Sequence, residues 1–362
     1  MSLAARDALP PHLVGALASG WFDPSHLTGD LARALIRHRL AIATADLITT
    51  AASPEAPDAP ATLVLRRRRA EVMRMMQVLA ALRQTSHALS AAGLRHLVIK
   101  GPALAVQTTG HWQGRPATDI DLLIAPSDAA GAHDALTQAG FVRRDGGQAP
   151  PGPLYLWLQC ELVYTGAPAV PLDLHWRMDA TPGLCDLSFA DLWARRSPVD
   201  IAGQAVHTLD PVDALLFTAV HGGKSGWNRW GMILDAHRQW TALDAPGRDR
   251  ALRRAQSVGS VRPVRLMLGL LAETTCPPDD PGRFGIGGSW RRRARALLDR
   301  TAEARTPRQS IPAALSRALA AMRMAPGPLV AADGALRAGL RPVMMPQAYH
   351  THLRTLLRRP ET

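Results

Sequence analysis

The stretch that decides the fold reads Arg115-Pro-Ala-Thr-Asp-Ile-Asp-Leu-Leu-Ile124, and it follows His96-Leu-Val-Ile-Lys-Gly101 along the chain. Residues 120–124 predict a β-strand, and Asp119 and Asp121 are two positions apart at its start. On a strand such residues point to the same face, roughly 7 Å apart. Their carboxylates can therefore converge on a hard cation such as Mg²⁺ that also binds substrate phosphates. Exposed surface acids are the alternative for an isolated pair of this kind.

Two further features favour a metal and phosphate site. Lys100 and Gly101 end the preceding predicted strand, and a helix is predicted to begin at this bend. A glycine there lets the backbone approach a phosphate, and the helix N-terminus offers N–H donors to an anion. Leu172-Asp-Leu-His-Trp176 predicts another strand, with Asp173 and His175 on one face. The chemistry implied is an in-line displacement assisted by two metal ions, with pyrophosphate as the leaving group.

These segments together resemble a known family. Val98-Ile-Lys-Gly-Pro-Ala-Leu104, residues 115–124 and residues 172–176 are similar to the patterns K-G-x-A-L, R-x-x-x-D-I-D-L-L and L-[DE]-x-H-W. Those patterns are typical of an uncharacterised nucleotidyltransferase family within the polymerase-β-like nucleotidyltransferase superfamily. Its members occur beside genes for modified peptides, including lasso peptides. The resemblance continues through His221-Gly-Gly-Lys-Ser-Gly-Trp-Asn-Arg-Trp230 and covers roughly residues 70–240.

The resemblance implies roles for the three aspartates. Asp119 and Asp121 would be ligands of Mg²⁺ or Mn²⁺. Asp173 would be a third ligand, or the general base that takes the proton of the acceptor hydroxyl. An NTP such as ATP would be the substrate.

The same resemblance implies contacts between the nucleotide and five residues, namely Lys100, Gly101, Arg115, Lys224 and Arg229. Alternatives stay open for four of them. Lys224 and Arg229 would otherwise bind the acceptor. Lys100 would otherwise be an ordinary surface lysine, and Arg115 would otherwise form a structural salt bridge with the acidic pair.

Several neighbouring residues have less specific signals. His175 is equally compatible with a packed histidine, and Glu161 is a weak candidate at the start of a strand. Asp235 is expected to pair with Arg229 or Arg238. Two tryptophans of the helical half are expected to pack in the core rather than stack on a base, namely Trp227 and Trp230.

Two details of the sequence bear on the class of enzyme. The superfamily usually has Gly-Ser at the bend, whereas here Gly101 precedes Pro102, which has neither a hydroxyl nor a backbone N–H. This departure puts triphosphate handling in question and allows a degenerate enzyme. Gly222-Gly-Lys-Ser225 is not a P-loop, because Thr218 occupies the first glycine position and the segment follows a predicted helix.

The order of predicted elements indicates an α+β protein with a polymerase-β-like nucleotidyltransferase core, that is, a small mixed sheet with flanking helices. We expect an N-terminal helical region at residues 1–92, the core at residues 93–200 and a C-terminal helical domain at residues 201–362. Residues 154–164 are expected to form a strand, and the chain is expected to be helical after about residue 197.

The composition adds an uneven charge. The chain carries a net charge of +12 and contains only two lysines. Residues 290–362 contain fourteen arginines against four acids, whereas residues 91–200 contain eight basic and eleven acidic residues. The basic segment is either a solvated face or a surface that attracts a polyanion. The three dispersed cysteines form no CxxC pair, so we expect a cytoplasmic protein without disulfides or a zinc knuckle. No stretch is long enough to cross a membrane.

The sequence therefore predicts a magnesium-dependent nucleotidyltransferase that passes an NMP to a small molecule, a peptide or a protein. A role in modified-peptide biosynthesis, such as that of lasso peptides, follows from the resemblance alone. The first alternative is a non-catalytic accessory protein that binds a nucleotide or a peptide. An RNA-directed nucleotidyltransferase ranks below it and depends on the basic segment.

Overall fold

A computed structural model describes residues 12–49, 59–181, 183–274 and 286–303, together with residues 324, 332 and 333. The part it describes contains thirteen α-helices and seven strands, with short 3-10 turns between some of them. The helices are α1 (His12–Ala18), α2 (Gly29–Arg37), α3 (Ala41–Thr49), α4 (Pro60–Ala91), α5 (Gly101–Thr109), α6 (Ala129–Gln138), α7 (Pro153–Leu158), α8 (Phe189–Arg195), α9 (Pro211–Ser225), α10 (Trp230–Ala242), α11 (Ala245–Ser257), α12 (Val261–Thr274) and α13 (Gly288–Glu303).

All seven strands belong to one mixed sheet. The strands are β1 (His96–Val98), β2 (Ile120–Ile124), β3 (Val142–Arg143), β4 (Glu161–Thr165), β5 (Pro171–His175), β6 (Ser197–Ile201) and β7 (Gln204–Thr208). Their order across the sheet is β3-β4-β5-β2-β1-β7-β6. The pairs β2–β5 and β1–β7 are parallel, and the other pairs are antiparallel. The structure thus has the mixed sheet and flanking helices of the predicted α+β class; the polymerase-β-like core stays a prediction.

The two faces of the central strands have different environments. Ile120 and Leu122 of β2 and Leu172 of β5 belong to the apolar cluster that includes residues of α4 and α6. The residues that alternate with these point to the opposite face, which the C-terminal helices cover. Leu123 on that face belongs to a second apolar cluster, which includes residues of those helices. Because side chains alternate along a strand, the acidic residue between Ile120 and Leu122 must face the C-terminal helices.

Two predictions of secondary structure are wrong in part. Residues 154–164 do not form one strand, since α7 begins at Pro153 and β4 begins only at Glu161. Proline at a first helical position favours the helix, because its missing N–H would have had no partner there. Tyr155 of this segment, an aromatic residue of the kind that favours strands in general, lies on the helix, and its ring centre is 5.9 Å from that of Trp176.

The chain is also not helical directly after residue 197. Residues 197–208 form the β6–β7 hairpin, and β7 continues the sheet by pairing with β1. Pro198 lies on β6, which is an edge strand, the position in a sheet that tolerates proline. The Thr208 hydroxyl donates a 2.6 Å hydrogen bond to the Val98 carbonyl and fixes this edge. The sheet therefore extends past residue 200, and the domain limits expected from the sequence stay a prediction.

The N-terminal and C-terminal helices pack on the sheet and on each other. Helices α2 and α3 contact α4, whereas α1 contacts α10 and α12. Among the described helices, none combines the length and apolar character needed to cross a membrane. Cys160 and Cys185 are buried free thiols, Cys276 lies outside the described residues, and a cytoplasmic location stays a prediction. Most of the basic segment also lies outside them, although Arg291 and Arg295 of α13 both pair with Glu273.

Candidate active site

The parallel pairing of β2 and β5 places two of the predicted aspartates side by side. Asp121 is the direct register partner of Asp173, and Leu123 is that of His175. The antiparallel partner β4 adds Glu161 opposite His175. Directly paired residues of neighbouring strands lie on the same face of the sheet. Four polar side chains of three strands therefore gather on the face that the C-terminal helices cover.

Asp119 lies just before β2 and is half-buried at the edge of the same group. It lines the same cavity as Asp121 and Asp173. The bend at Gly101 faces this loop, because a side chain at Gly101 would approach the Asp119 carbonyl to 3.6 Å. Gly101 has φ of +58°, a left-handed conformation that favours glycine. The predicted glycine bend and acidic pair thus meet in the structure.

Lys100 is buried beside the central carboxylate, and its predicted contact with the nucleotide stays a prediction. Its ammonium group lies 2.9 Å from Asp121 Oδ1 and 5.1 Å from the centre of the Phe217 ring. The lysine side chain is only 18% exposed, so it is not an ordinary surface lysine. Burial opposes the charge, but Asp121 outweighs it and raises the pKa of Lys100. Lys100 is therefore a buried cation that balances the central carboxylate.

Asp121 and Asp173 are neighbours with opposite electrostatics. Burial alone would raise the pKa of Asp121, but Lys100 and His175 hold it well below its usual range. Asp173 forms no ion pair among the described residues, so burial, Asp121 and Glu161 outweigh His175 and raise the pKa of Asp173 to about 7. Two carboxylates whose environments separate their pKa values can take different chemical roles. Asp121 is held as an anion, whereas Asp173 can gain or lose a proton near neutral pH.

His175 connects the aspartates with Glu161. Its Nε2 is 3.3 Å from Asp121 Oδ1, and its Nδ1 is 3.1 Å from Glu161 Oε2. Burial favours the neutral imidazole, yet Glu161 and Asp121 raise the pKa of His175 to about 10. The histidine is packed, as the sequence allowed, and it also orients a site carboxylate. Two groups of three residues each bring possible metal-ligand atoms within 4.8 Å of one another. One group is Asp121, Asp173 and His175, and the other is Cys160, Glu161 and His175.

The acidic group opens into a cavity of about 310 Å³. Helix α9 forms its opposite wall and contributes Phe217, His221 and Lys224. Lys224 forms an ion pair with the buried carboxylate of Asp179. Burial opposes the charge of Lys224, and Asp179 more than offsets it and raises the pKa of the lysine. Lys224 thus reaches the cavity, but Asp179, which the sequence did not indicate, already balances its charge.

An adjoining cavity of about 270 Å³ is lined by arginines. Arg39, Arg115, Arg229 and Arg238 reach it from the α2–α3 turn, the segment before β2, and the start and middle of α10. The two cavities share several lining residues, including Lys100 and Arg115. Among the described residues, neither Arg39 nor Arg229 forms an ion pair with a carboxylate. The two cavities form one cleft with an acidic half and an arginine half.

Arg39 is the most crowded of these cations. Burial, followed by Arg229 and Arg115, lowers the pKa of its guanidinium to about 10. The residue also has φ of +60°, which is uncommon for a side chain larger than glycine. An anion bound in this half of the cleft would relieve the repulsion among the guanidinium groups.

The ion pair of Asp235 differs from the one expected from the sequence. Asp235 pairs with Arg115, with Nε 2.7 Å from Oδ2, and not with Arg229 or Arg238. Arg115 therefore makes a structural salt bridge, but to α10 rather than to the acidic pair. Arg238 donates to the Gly114 carbonyl at 3.3 Å instead.

The remaining motif of the helical half is structural. Trp227 and Trp230 are fully buried, as expected. Gly222 leaves room for Trp227, because a side chain at Gly222 would come within 2.5 Å of its ring. Gly222-Gly-Lys-Ser225 ends α9, so it lacks the strand that precedes a P-loop.

Aspartates on adjacent strands that face a cation-lined cleft are the arrangement of an enzyme that transfers phosphorylated groups. The chain belongs to the family described as uncharacterised nucleotidyltransferase, which matches residues 26–275 and therefore well over half of the chain. The family inferred from the sequence motifs is thereby confirmed. A search of curated proteins found no match. Nucleotidyl transfer is thus the activity of the family, while the roles of individual residues are the subject of the proposal below.

Proposed function

We propose that the protein is a Mg²⁺-dependent nucleotidyltransferase that transfers an NMP from an NTP to an acceptor hydroxyl and releases pyrophosphate. The observation that carries the proposal is the direct pairing of Asp121 with Asp173 beside Asp119, at the junction of an acidic and an arginine-lined cavity. The acceptor oxygen would form a bond to the α-phosphorus of the NTP. The bond from that phosphorus to the oxygen of the leaving pyrophosphate would break.

The residues of the acidic half fit a divalent ion such as Mg²⁺ or Mn²⁺. Asp119 and Asp121 would hold it, since hard cations prefer carboxylate oxygens, and of the two roles open to Asp173 the raised pKa favours that of the base. Lys100 and His175 both contact Oδ1 of Asp121, and among the described residues no hydrogen bond engages Oδ2. Asp121 therefore has one fixed oxygen and one oxygen for an ion. When bound, the ion supplies Lewis-acid stabilisation of the negative charge on the phosphate oxygens.

The protein groups divide the remaining work. Asp173 would take the proton of the acceptor hydroxyl, because a general base works best when its pKa is near the operating pH. Arg39 and Arg229 would bind the polyphosphate, which supplies the anionic charge that this half of the cleft lacks. Their forked guanidinium groups match phosphate oxygens. These arginine contacts would replace the hydroxyl group of the serine in the usual Gly-Ser bend, because this chain has Pro102 at that position.

The experiment is a pyrophosphate-release assay with each NTP and Mg²⁺, paired with calorimetric titration of the NTP. Asp119→Asn is the informative variant, because Asp119 lines the cavity without an ion pair among the described residues and its loss should spare the fold. We expect turnover to fall by about 10³-fold, the scale of losing electrostatic stabilisation in the transition state. Asp134→Asn, an exposed acid on α6, is the matched control and should retain full turnover.

Two outcomes would replace the proposal with an alternative. Tight NTP binding without pyrophosphate release, across a panel of small-molecule, peptide and protein acceptors, would identify a non-catalytic binding protein. Turnover only with RNA, weakening steeply with salt, would identify an RNA-directed enzyme. The peptide acceptors come first in the panel, because the resemblance places family members beside genes for modified peptides.

A further inference from the structure

Three residues at one end of the β4–β5 pair bring together ligand atoms that the proposed reaction does not use. Cys160 immediately precedes β4, Glu161 begins it, and His175 is the register partner of Glu161 on β5. The Cys160 sulfur, a Glu161 carboxylate oxygen and a His175 ring nitrogen all lie within 4.8 Å of one another. The Trp176 N–H donates to the Cys160 carbonyl at 2.9 Å, which fixes the cysteine backbone against β5. The cluster is therefore built on paired strands and not on a free loop.

The spacing of the ligand atoms fits a tetrahedral transition metal. With Zn–S, Zn–N and Zn–O bonds of ordinary length, tetrahedral angles separate the ligand atoms by about 3.4 to 3.6 Å. Glu161 Oε2 lies 3.1 Å from His175 Nδ1 and 3.9 Å from Cys160 Sγ. Both distances bracket the tetrahedral values, so an ion would need only a small adjustment of the side chains.

The surroundings of the two ring nitrogens of His175 also fit a metal ligand. The imidazole is 95% buried, and Nδ1 makes no hydrogen bond of proper geometry although Glu161 Oε2 is 3.1 Å away. Nε2 faces Asp121 at 3.3 Å. A histidine that binds a metal through one nitrogen usually donates its other N–H to a carboxylate, which fixes the ring. His175 has this arrangement, with Asp121 beside one nitrogen and the other nitrogen without a hydrogen bond to a described residue.

The donor set also separates this cluster from the aspartates beside it. A thiolate and an imidazole are soft or intermediate ligands that select Zn²⁺ over Mg²⁺. Three protein ligands leave a fourth tetrahedral position. The Glu161 side chain is 42% exposed and lines the acidic cavity, so that position opens to the cleft.

We propose that Cys160, Glu161 and His175 form a zinc site next to the aspartates, with Asp121 as the outer partner of the histidine. Binding replaces the thiol proton of Cys160 and the Nδ1 proton of His175 by the metal and releases both protons to solvent. The ion fixes the His175 ring and, through it, the orientation of the Asp121 carboxylate. The site thereby couples a transition metal to the residue at the centre of the proposed active site.

Cobalt spectroscopy on the full chain tests the proposal, because Co²⁺ occupies zinc sites and its thiolate bond absorbs in the near ultraviolet. After treatment with a chelator, the wild-type protein should develop this band with saturation at one Co²⁺ per chain. Zn²⁺ should abolish the band, and excess Mg²⁺ should leave it. Cys160→Ser should lose the band and bind Zn²⁺ at least about tenfold more weakly. Glu161→Gln should keep the band with an affinity lowered by about 10- to 100-fold.

The controls identify the thiol and separate this proposal from the catalytic one. Cys185→Ser, at the other described buried cysteine, should keep the band, and Cys276→Ser should keep it as well. Asp119→Asn should keep it even if that variant loses turnover, so failure of one proposal does not imply failure of the other. Absence of the band in the wild type would overturn the zinc site, as would its persistence in Cys160→Ser.

A measurement on the wild-type chain covers the case in which Cys160→Ser does not fold. Zn²⁺ should slow the alkylation of Cys160, as measured by peptide mass spectrometry. It should leave the alkylation rate of Cys185 unchanged. Equal rates at Cys160 with and without Zn²⁺ would also overturn the proposal.

Discussion

The acidic and arginine halves of the cleft balance their charges in different ways. In the acidic half, Lys100 pairs with Asp121 and Lys224 pairs with Asp179, so each cation already has its carboxylate. In the arginine half, neither Arg39 nor Arg229 has such a partner among the described residues. A half whose cations are already paired can be stable without an anion, whereas unpaired and crowded guanidinium groups favour an anionic ligand. The difference teaches that the fold itself balances the cations of the acidic half, and that the arginine half is where we expect an anionic ligand to bind.

The largest expected effect comes from Asp173, the proposed general base. Asp173→Asn should lower kcat by about 10²- to 10⁴-fold, the usual contribution of a general base, and should leave the Kd for NTP within about threefold. Burial and the neighbouring carboxylates disfavour the charge of Asp173 and raise its pKa to about 7, so the variant should not lose stability. Pyrophosphate release and calorimetric titration measure the two quantities, with Asp134→Asn as the control. Loss of NTP binding with unchanged kcat would assign Asp173 to the nucleotide and blur the division between the halves.

Lys100→Met tests whether the acidic half is balanced within itself. The variant leaves the buried charge of Asp121 without its ammonium partner, and breaking a buried pair in this way costs about 3 kcal/mol or more. Urea unfolding should therefore show a lower free energy of unfolding. The double variant Lys100→Met with Asp121→Asn should recover much of that loss, because the uncompensated charge is then removed. A double variant as unstable as Lys100→Met alone would show that packing on Phe217, and not the ion pair, is the stabilising contact.

The same kind of change in the arginine half should have the opposite effect on stability. Arg39→Met removes a cation that burial and two neighbouring arginines disfavour, so the free energy of unfolding should stay the same or rise. The affinity for NTP should fall by about 10- to 100-fold, as expected for losing a charged hydrogen bond to phosphate. Arg69→Met on the exposed face of α4 is the matched control and should leave the affinity unchanged. A destabilised Arg39→Met with normal NTP affinity would contradict the distinction between the two halves.

The acidic half could be predicted because its determinants are local. Asp119 and Asp121 alternate with apolar residues at the start of β2, and Asp173 and His175 do the same on β5, so each pattern indicates the face on which the acidic residues lie. Their meeting needed one further step, the parallel pairing of β2 with β5. The three motifs of the family resemblance supplied that step.

Arg115 and Arg229 of the arginine half were named from the resemblance, but Arg39 could not be predicted, because a long-range contact brings it there. Arg39 lies in a turn that no motif marks, and the backbone N–H of Gly231 binds the His38 carbonyl at 3.0 Å to dock this turn on α10. A side chain at Gly231 would come within 2.9 Å of that carbonyl, so glycine is required there. The β6–β7 hairpin was missed for a related reason. Its two short strands at the sheet edge have a weak alternating pattern, and their pairing with β1 decides their structure.

The smallest expected effect concerns pH and the turn that bears Arg39. His38 is 1% exposed beside Trp230, and burial, followed by Arg37 and Arg229, lowers its pKa from 6.5 to about 4. Between these values the unfolded chain binds a proton that the folded chain does not, so this contribution is fully present above pH 6.5 and is lost as the pH falls toward 4. From pH 7 to pH 5 the wild type should lose about 2 kcal/mol more than His38→Gln, which cannot titrate. Urea unfolding at the two pH values measures the difference. An equal loss in both proteins would mean that neither burial nor the charges of Arg37 and Arg229 lower the pKa of His38 in the folded chain.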